Sequence, residues 1–173
     1  MTLDALVAAL PDYAKDLRLN MSSLLTEEIL TDQRKCGLLV ACAHATGYQP
    51  LIAAAQALAA DKLSEDAMTA AKAAAAIMAM NNVYYRFVHL SSNAEYGKMP
   101  AKLRMNVIGR PGIDKADFEL MSLAVSAING CGMCIDSHEQ VLRQHGVSLE
   151  IIQTAVRLAA VVNAVAKAHQ AIV

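Results

Sequence analysis

Two cysteines and a histidine follow one another at helical spacing in this sequence. Cys131 and Cys134 are three residues apart, and His138 follows Cys134 by four. Residues three and four apart share one face of an α-helix, so the two thiols are close enough to form and break a disulfide with little backbone movement. His138 lies on that face again, where it can take a proton from Cys134 directly or through one water molecule. The spacing predicts a thiol/disulfide redox site.

The residues just before the pair favour a reactive thiol. The thiolate is the attacking form, and a free cysteine pKa of about 8.5 has to be lowered for reactivity at neutral pH. Asn129 and Gly130 are expected to interrupt the helix ahead of Cys131. The two cysteines would then lie in the first turn of a new helix, where unpaired N–H groups and the helix dipole stabilise an anion.

Two physical cues disagree about which sulfur attacks. The helix N-terminus favours Cys131, which is nearer to it. His138, however, lies about 6 Å along the helix axis from Cys134 and about 10.5 Å from Cys131, at about 1.5 Å per residue. Because only Cys134 is within reach of the base, we expect Cys134 to attack and Cys131 to resolve the product.

A carboxylate completes the expected site if the chain folds back at Asn129-Gly130. Two antiparallel helices around that turn would place Glu119 opposite residue 140, only about 3 Å along the axis from His138. A carboxylate at that place orients the imidazole and raises its basicity. The sequence therefore predicts a proton relay from Glu119 through His138 to Cys134, conditional on the hairpin.

Other interpretations of the same residues stay open at this point. Cys131, Cys134 and His138 are three plausible zinc ligands with Glu119 as a fourth, as in a zinc-stabilised interaction module. A lone Cys-x-x-Cys can also be incidental. A thioredoxin-type domain is excluded, because its motif follows a strand in a βαβ unit and the sequence predicts no strand.

The remaining cysteines and histidines lack a comparable pattern. Cys36 and Cys42 are six residues apart and are expected to be small buried hydrophobic residues. The other four histidines are expected at the surface or at helix ends: His44, His89, His145 and His169.

Helices have to position these residues, since the whole chain favours helix. Alanine supplies much of the 55% hydrophobic content, aromatic residues make up 4%, and no strand-like alternation appears. Capping residues and Gly or Pro stops predict one all-α domain, residues 1–173, of about eight helices. The expected segments run from Thr2 to Leu10, Pro11 to Leu25, Thr31 to Gly47, Pro50 to Asp61, Ser64 to Leu90, Asp114 to Ile128, Cys131 to His145, and onward from Ser148, with residues 91–112 less regular.

One of these helices resembles another part of the chain. Residues 76–82 align with 124–130 at an offset of 48, and Asp66 aligns with Asp114. A duplication would give repeat halves of roughly 64–90 and 112–146, of which the second carries the chemistry; chance similarity of alanine-rich helices is the alternative. Because the run Ala73–Met80 is apolar on every side, we expect the helix of the first half to be central.

Composition limits the partners. The formal net charge is −1 among 15 basic and 16 acidic residues, so nucleic acid is not an expected partner. The longest apolar run is eight residues, Ala73–Met80, far short of the roughly 20 that span a bilayer. With no apparent secretory signal, we expect a cytoplasmic protein that makes no membrane contact. High apolar content with little net charge favours a homo-oligomer.

Several segments resemble a known family. The resemblance extends over nearly the whole chain and is most specific around the two cysteines. It is carried by residues 10–16, 78–86, 103–106 and 118–139. On these segments the sequence is similar to the AhpD-type alkyl hydroperoxide reductases of the carboxymuconolactone decarboxylase-like superfamily.

That resemblance implies a fold, an activity and partners. It implies an all-helical homotrimer that holds no bound cofactor, takes electrons from a dihydrolipoyl group on an acyltransferase subunit and passes them to an AhpC-type peroxiredoxin, with weak hydroperoxide reductase activity of its own. It also implies that Cys131 and Cys134 are the redox disulfide, with Glu119 and His138 as the proton relay. Met133 departs from family members that carry a histidine there, so no role is transferred to that position. A lactone decarboxylase-like enzyme of the same superfamily is a further alternative, and it should not need both cysteines.

Overall fold

The structure is a computed structural model that describes residues 1–172. Within this range the chain forms ten α-helices, one short 3-10 turn at Asp12–Ala14 and no β-strand, which confirms the predicted all-α class. Eight of the helices are longer than four residues, as expected. The helices are α1 (Leu3–Ala8), α2 (Lys15–Thr26), α3 (Asp32–Thr46), α4 (Gln49–Ala59), α5 (Glu65–Leu90), α6 (Glu95–Lys98), α7 (Asn106–Gly109), α8 (Lys115–Asn129), α9 (Gly132–Gln144) and α10 (Leu149–Gln170).

The helix boundaries follow the capping signals of the sequence. Five helices follow a Thr, Ser or Asp residue whose side chain accepts a hydrogen bond from a backbone N–H in the first helical turn: Thr2, Thr31, Ser64, Asp114 and Ser148. At the other end, α3 and α8 stop at glycines with φ near +70°, a left-handed conformation that favours a residue without Cβ. The predicted boundaries are confirmed to within a few residues.

The centre of the fold consists of α3 and α8. Every residue of the stretch Leu38–Ala43 in α3 is completely buried, and α8 is buried on all sides from Phe118 to Ser126. These two helices pack against each other and against α5 and α10. A helix that is apolar all round belongs in the interior, because no side of it is suited to water.

The expectation that α5 is central was wrong. One face of α5 packs on α3, α8 and α9, but Ala76, Ala79 and Val83 on the opposite face are exposed. Alanine buries too little surface to require the interior, so an alanine-rich helix can lie at the periphery. This position matters for function, because the buried face of α5 becomes one wall of the site described below.

Helix α10 is long and apolar enough, by length and composition, to cross a membrane. The sequence interpretation overlooked this, because Asn163 interrupts its apolar run. In the structure 44% of its most apolar window is buried, and α10 packs on α2, α3 and α8. These contacts with three other helices make α10 part of the packed helical domain.

Candidate redox site

The predicted hairpin is present, and Gly130 makes it. Helix α8 ends at Asn129, Gly130 adopts φ +70°, and α9 begins at Gly132, packed along α8. Cys131 lies between the two helices as the N-cap residue of α9. The expected break ahead of the cysteine pair is therefore confirmed, and it places Cys131 at a new helix N-terminus.

Cys131 and Cys134 form a disulfide in this structure. Their Cα atoms are 5.3 Å apart and the S–S distance is 2.08 Å. The Sγ of Cys131 accepts a hydrogen bond from the backbone N–H of Cys134 at 3.3 Å, so this sulfur takes the place of a capping oxygen. Cys131 is completely buried, whereas 6% of Cys134 is exposed. The two sulfurs differ: one is held by a backbone amide and the other is closer to solvent.

Glu119 and His138 meet across the hairpin as the sequence predicts. Glu119 Oε2 lies 2.5 Å from His138 Nδ1, and both side chains are buried. Lys115, one turn earlier on α8, places its Nζ 2.5 Å from Glu119 Oε1. Burial acts to raise the pKa of the Glu119 carboxyl, but the hydrogen bonds from His138 and Lys115 outweigh burial and hold that pKa below its usual value. Glu119 is thus an ionised acceptor, and Nδ1 of His138 is the donor.

The other ring nitrogen of His138 faces a sulfur that the sequence did not indicate. Nε2 lies 3.2 Å from Sδ of Met78, a completely buried residue of α5. A thioether is a weak acceptor and has no proton to donate, so this contact is favourable when Nε2 is protonated. Each ring nitrogen of His138 thus has a neighbour in the structure, Glu119 at Nδ1 and Met78 at Nε2. In this oxidised state, therefore, Nε2 of His138 is turned toward Met78.

A cavity of about 450 Å³ brings the reactive groups together. Cys134, His138 and Glu119 all line it, and its other walls come from α5, α7 and the residues that precede α7. Met133, to which the sequence assigned no role, also lines this cavity and is 37% exposed. Cys131, which is completely buried, does not line this cavity. A small molecule entering here reaches Cys134 first.

Three residues of this site were missed from the sequence. Lys115 stands four residues before Glu119, a spacing that signals a helical ion pair and offered a local clue. Met78 and Asn81 line the cavity from α5, and they lie 60 and 53 residues away along the chain from the groups that they approach. No local pattern signals such contacts, since only packing creates them.

Helix α5 also braces the turn at Gly130. Asn82 donates to Ser126 Oγ and accepts from Asn129 Nδ2, both at 2.9 Å, and Arg86 Nη1 donates to the carbonyl of Asn129 at 2.6 Å. These hydrogen bonds tie the last turn of α8 to α5. A second cavity, about 550 Å³, lies beside this brace and holds none of the four predicted site residues.

The other two cysteines are buried as predicted, and two of the other histidines have hydrogen-bond partners that the sequence did not indicate. Cys36 and Cys42 are free and buried, and burial raises the pKa of the Cys42 thiol to about 12, so neither is suited to attack. His44 and His169 are at helix ends as expected. Each also has a hydrogen-bond partner: His44 Nε2 lies 2.7 Å from Gln56 Nε2, and His169 Nε2 lies 2.9 Å from the carbonyl oxygen of Leu6.

The zinc interpretation gains no support from this arrangement. Among residues 1–172, no three or more His, Cys, Asp or Glu side chains are grouped so that they could hold a metal ion. Cys131 and Cys134 are bonded to each other, and Glu119 is engaged by Lys115 and His138. Zinc requires free thiolates, which this state does not offer.

Comparison with known proteins gives a consistent result. The model of a family described as the carboxymuconolactone decarboxylase family matches residues 94–172, which include all four predicted site residues. A protein named alkyl hydroperoxide reductase AhpD from Rhizorhabdus wittichii is 68% identical over 169 residues, covering 98% of each chain. Proteins of the same name from Maricaulis maris (63% identical, 96% of each chain) and Rhodopseudomonas palustris (65% identical, 99% of this chain and 94% of the relative) are similar over nearly their whole length too.

Proposed function

This chain belongs to the AhpD-type alkyl hydroperoxide reductases of the carboxymuconolactone decarboxylase family, and from that membership we propose that it reduces hydroperoxides at Cys134 and carries electrons to a peroxiredoxin. It is an oxidoreductase that acts on peroxides. The observation that carries the proposal is the disulfide whose Cys134 half lines the same cavity as the His138–Glu119 pair.

The oxidative half of the cycle begins at Cys134. Its thiolate attacks the distal oxygen of a hydroperoxide R–O–O–H, the O–O bond breaks, and the alkoxide takes a proton from His138 and leaves as an alcohol. Cys134 becomes a sulfenic acid. The thiol of Cys131 then attacks that sulfur, water is released, and the disulfide seen in the structure forms.

Access and hydrogen bonding support this division of labour. Cys134 lines the cavity, whereas Cys131 is completely buried and accepts the N–H of Cys134. That amide, at a helix N-terminus, stabilises Cys131 as a thiolate when an incoming thiol opens the disulfide at Cys134. The two cues that conflict in the sequence therefore serve two different steps.

The reductive half needs a dithiol, for which we propose a dihydrolipoyl group on an acyltransferase subunit; no cofactor need be bound to the chain itself. One of its thiolates attacks Cys134 and releases Cys131, and the second then displaces Cys134, leaving a lipoyl disulfide and the reduced protein. The reduced pair can in turn reduce the disulfide of an AhpC-type peroxiredoxin. Glu119 keeps His138 oriented in both halves. These partners and a cytoplasmic location are parts of the same proposal.

We propose further that the protein works as a homotrimer. Val83, Phe87 and Leu90 are exposed on one face of α5, and Tyr96 of α6 packs edge-on against Phe87. A contiguous apolar surface of this kind is typical of a contact between subunits. A monomeric mass in light scattering at micromolar concentration would contradict this part of the proposal.

Trapping experiments test the direction of attack. After reduction and addition of an alkyl hydroperoxide, Cys131→Ser should accumulate a sulfenic acid at Cys134, or a mixed disulfide with added peroxiredoxin, because nothing resolves it. Cys134→Ser should give neither. Mass spectrometry of the intact protein reads both results, with and without the peroxiredoxin. Trapping in Cys134→Ser alone would reverse the assignment. Catalytic activity that persists in both Cys131→Ser and Cys134→Ser would favour a lactone decarboxylase-like enzyme over thiol chemistry.

A further inference from the structure

Asn81 presents an unused hydrogen-bond acceptor near the reactive sulfur. It lies on the buried face of α5, is 5% exposed, and lines the same cavity as Cys134 and His138. Its Oδ1 atom is buried and has no hydrogen-bond partner among residues 1–172. Buried polar atoms are nearly always paired, so an unpaired acceptor on a residue that lines the candidate-site cavity is suited to a donor from outside the chain.

The orientation of the amide follows from its other neighbour. Asn81 Nδ2 points at Sδ of Met105 at 3.7 Å, a contact in which the amide is the donor. Exchanging the nitrogen and the oxygen would place a carbonyl against a thioether, and neither of these groups has a proton to share. The acceptor is therefore the atom left without a partner.

The main chain of Asn81 lies close to the sulfur of Cys134. Its carbonyl oxygen lies 4.0 Å from Sγ of Cys134. The next residue, Asn82, faces the other way and is fully engaged with Ser126 and Asn129. Of two adjacent buried asparagines, Asn82 is fully hydrogen-bonded within the fold, whereas Asn81 lies beside Cys134 and carries a side-chain oxygen without a partner.

We propose that Asn81 binds the hydroperoxide, accepting a hydrogen bond from its O–H and so presenting the distal oxygen to Cys134. This rests on the function proposed above. A hydroperoxide R–O–O–H has one O–H, and that hydrogen is on the oxygen that the thiolate attacks. As the S–O bond forms and the O–O bond breaks, the hydrogen stays on the transferred oxygen, which becomes the sulfenic acid hydroxyl. The proton for the departing alkoxide comes from His138, so the two side chains serve different oxygens.

The proposal separates peroxides from the other reaction partners of the site. A disulfide has no O–H and offers Asn81 nothing to accept, although it is attacked by the same Cys134 thiolate. Loss of the acceptor should therefore slow oxidation by a peroxide and leave oxidation by a disulfide nearly unchanged. A purely structural asparagine would affect both reactions alike.

The test compares two oxidants on the reduced, full-length protein. Asn81→Leu removes the acceptor and keeps the branched shape and the number of heavy atoms of the side chain. With tert-butyl hydroperoxide, the second-order rate constant for loss of the Cys134 thiol should fall about tenfold, the effect expected of one lost hydrogen bond. With lipoamide disulfide as the oxidant, the rate constant should change by less than about twofold, which is smaller than the effect of losing one hydrogen bond.

Asn82→Leu is the matched control on the same helix. It removes two buried hydrogen bonds away from the cavity, so it should lower the melting temperature while leaving the ratio of the two rate constants near that of the wild type. Asn81→Ala repeats the measurement if Asn81→Leu fails to fold. Equal slowing with both oxidants, or no slowing with the peroxide, would overturn the role of Asn81. If the wild-type Cys134 itself does not react with the peroxide, the proposed function fails instead.

Discussion

Two aligned segments of this chain begin alike and end differently. Asp66 lies in the first turn of α5, and Asp114 caps α8. Sixteen residues later, α5 continues without interruption through Asn82 to Leu90, whereas α8 has ended, with Gly130 at the aligned position as its C-cap. The first segment is one helix of 26 residues and the second is a hairpin. Whether they arose by duplication remains a prediction.

The difference shows what a helix break can create. Because Gly130 turns the chain back, the second segment acquires a new helix N-terminus with Cys131 as its cap, and Glu119 comes opposite His138. The unbroken segment has Arg86 where the second has Cys134, and it serves as a wall and a brace. The groups of the proposed redox site are concentrated where the helix is interrupted, because unpaired N–H groups and a second helix face meet there.

The largest effect on this comparison is expected from Glu119→Gln, which removes the charge that joins the two arms of the hairpin. The disulfide should still form, but turnover should fall roughly a hundredfold, and the pH at which Cys134 reacts should rise, because His138 loses the carboxylate that raises its basicity. The rate of thiol alkylation against pH measures this. An unchanged profile would remove Glu119 from the relay, and Glu139→Gln, on the exposed side of α9, is the control.

The same variant has a signature in stability. The pKa of Glu119 is lowered in the folded protein, so its ionised form stabilises the fold fully above the unfolded pKa of about 4.3. That stabilisation is lost as the pH falls through the lowered folded value. Wild-type unfolding free energy should therefore drop more steeply on acidification than that of Glu119→Gln. Parallel curves in urea titrations below pH 5 would show that the ion pair contributes nothing.

A smaller effect is expected from Gly130→Ala, which opposes the break itself. A Cβ at Gly130 would meet no atom within 4 Å, so its cost is the left-handed backbone alone, about 1–2 kcal/mol. Gly146→Ala is a matched control, since Gly146 has φ +75°, equally open space and no contact with the cysteines. Both variants should lose similar stability in urea denaturation, and only Gly130→Ala should also slow peroxide reduction. Equal activities would mean that the turn does not tune Cys131.

The smallest effect is expected from Arg86→Met, which keeps most of the side-chain length and removes one hydrogen bond to the carbonyl of Asn129. Arg86 is exposed, so the loss should be below about 1 kcal/mol and confined to the turn. Hydrogen exchange should become faster at residues 129–131 and stay unchanged in α10. Arg110→Met, in an exposed loop, is the comparison variant. Unchanged exchange at the turn would indicate that the brace is dispensable.

Local signals account for most of what could be predicted. Thr31, Ser64 and Ser148 cap the helices expected of them, and the i, i+3, i+7 spacing of the cysteines and His138 places them on one helix. Glu119 could be reached only by assuming a hairpin, and the assumption held because Asn129-Gly130 is a strong turn signal. Each of these inferences depends on residues close together in the chain, where backbone geometry limits the outcome.

The remaining features came from packing. The place of α5 at the periphery was not predictable, because alanine carries no strong preference between interior and surface. Met78 at His138, Asn81 beside Cys134 and the brace at Asn129 all join α5 to the hairpin across more than 40 residues of sequence. Two helices 26 and 15 residues long can pack in many registers, and the sequence of either one alone does not select among them.

The sequence by itself therefore indicated the proposed reacting groups and determined their helix and the turn before them, since these depend on spacing, capping and one glycine. Only the tertiary structure decided which sulfur borders the cavity, which atom faces His138 Nε2, and that Asn81, which lines the cavity, carries an unpaired acceptor. The physical reason is the range of the interactions. Helix geometry acts within about four residues, whereas the walls of a cavity come from whichever faces the burial of apolar surface brings together.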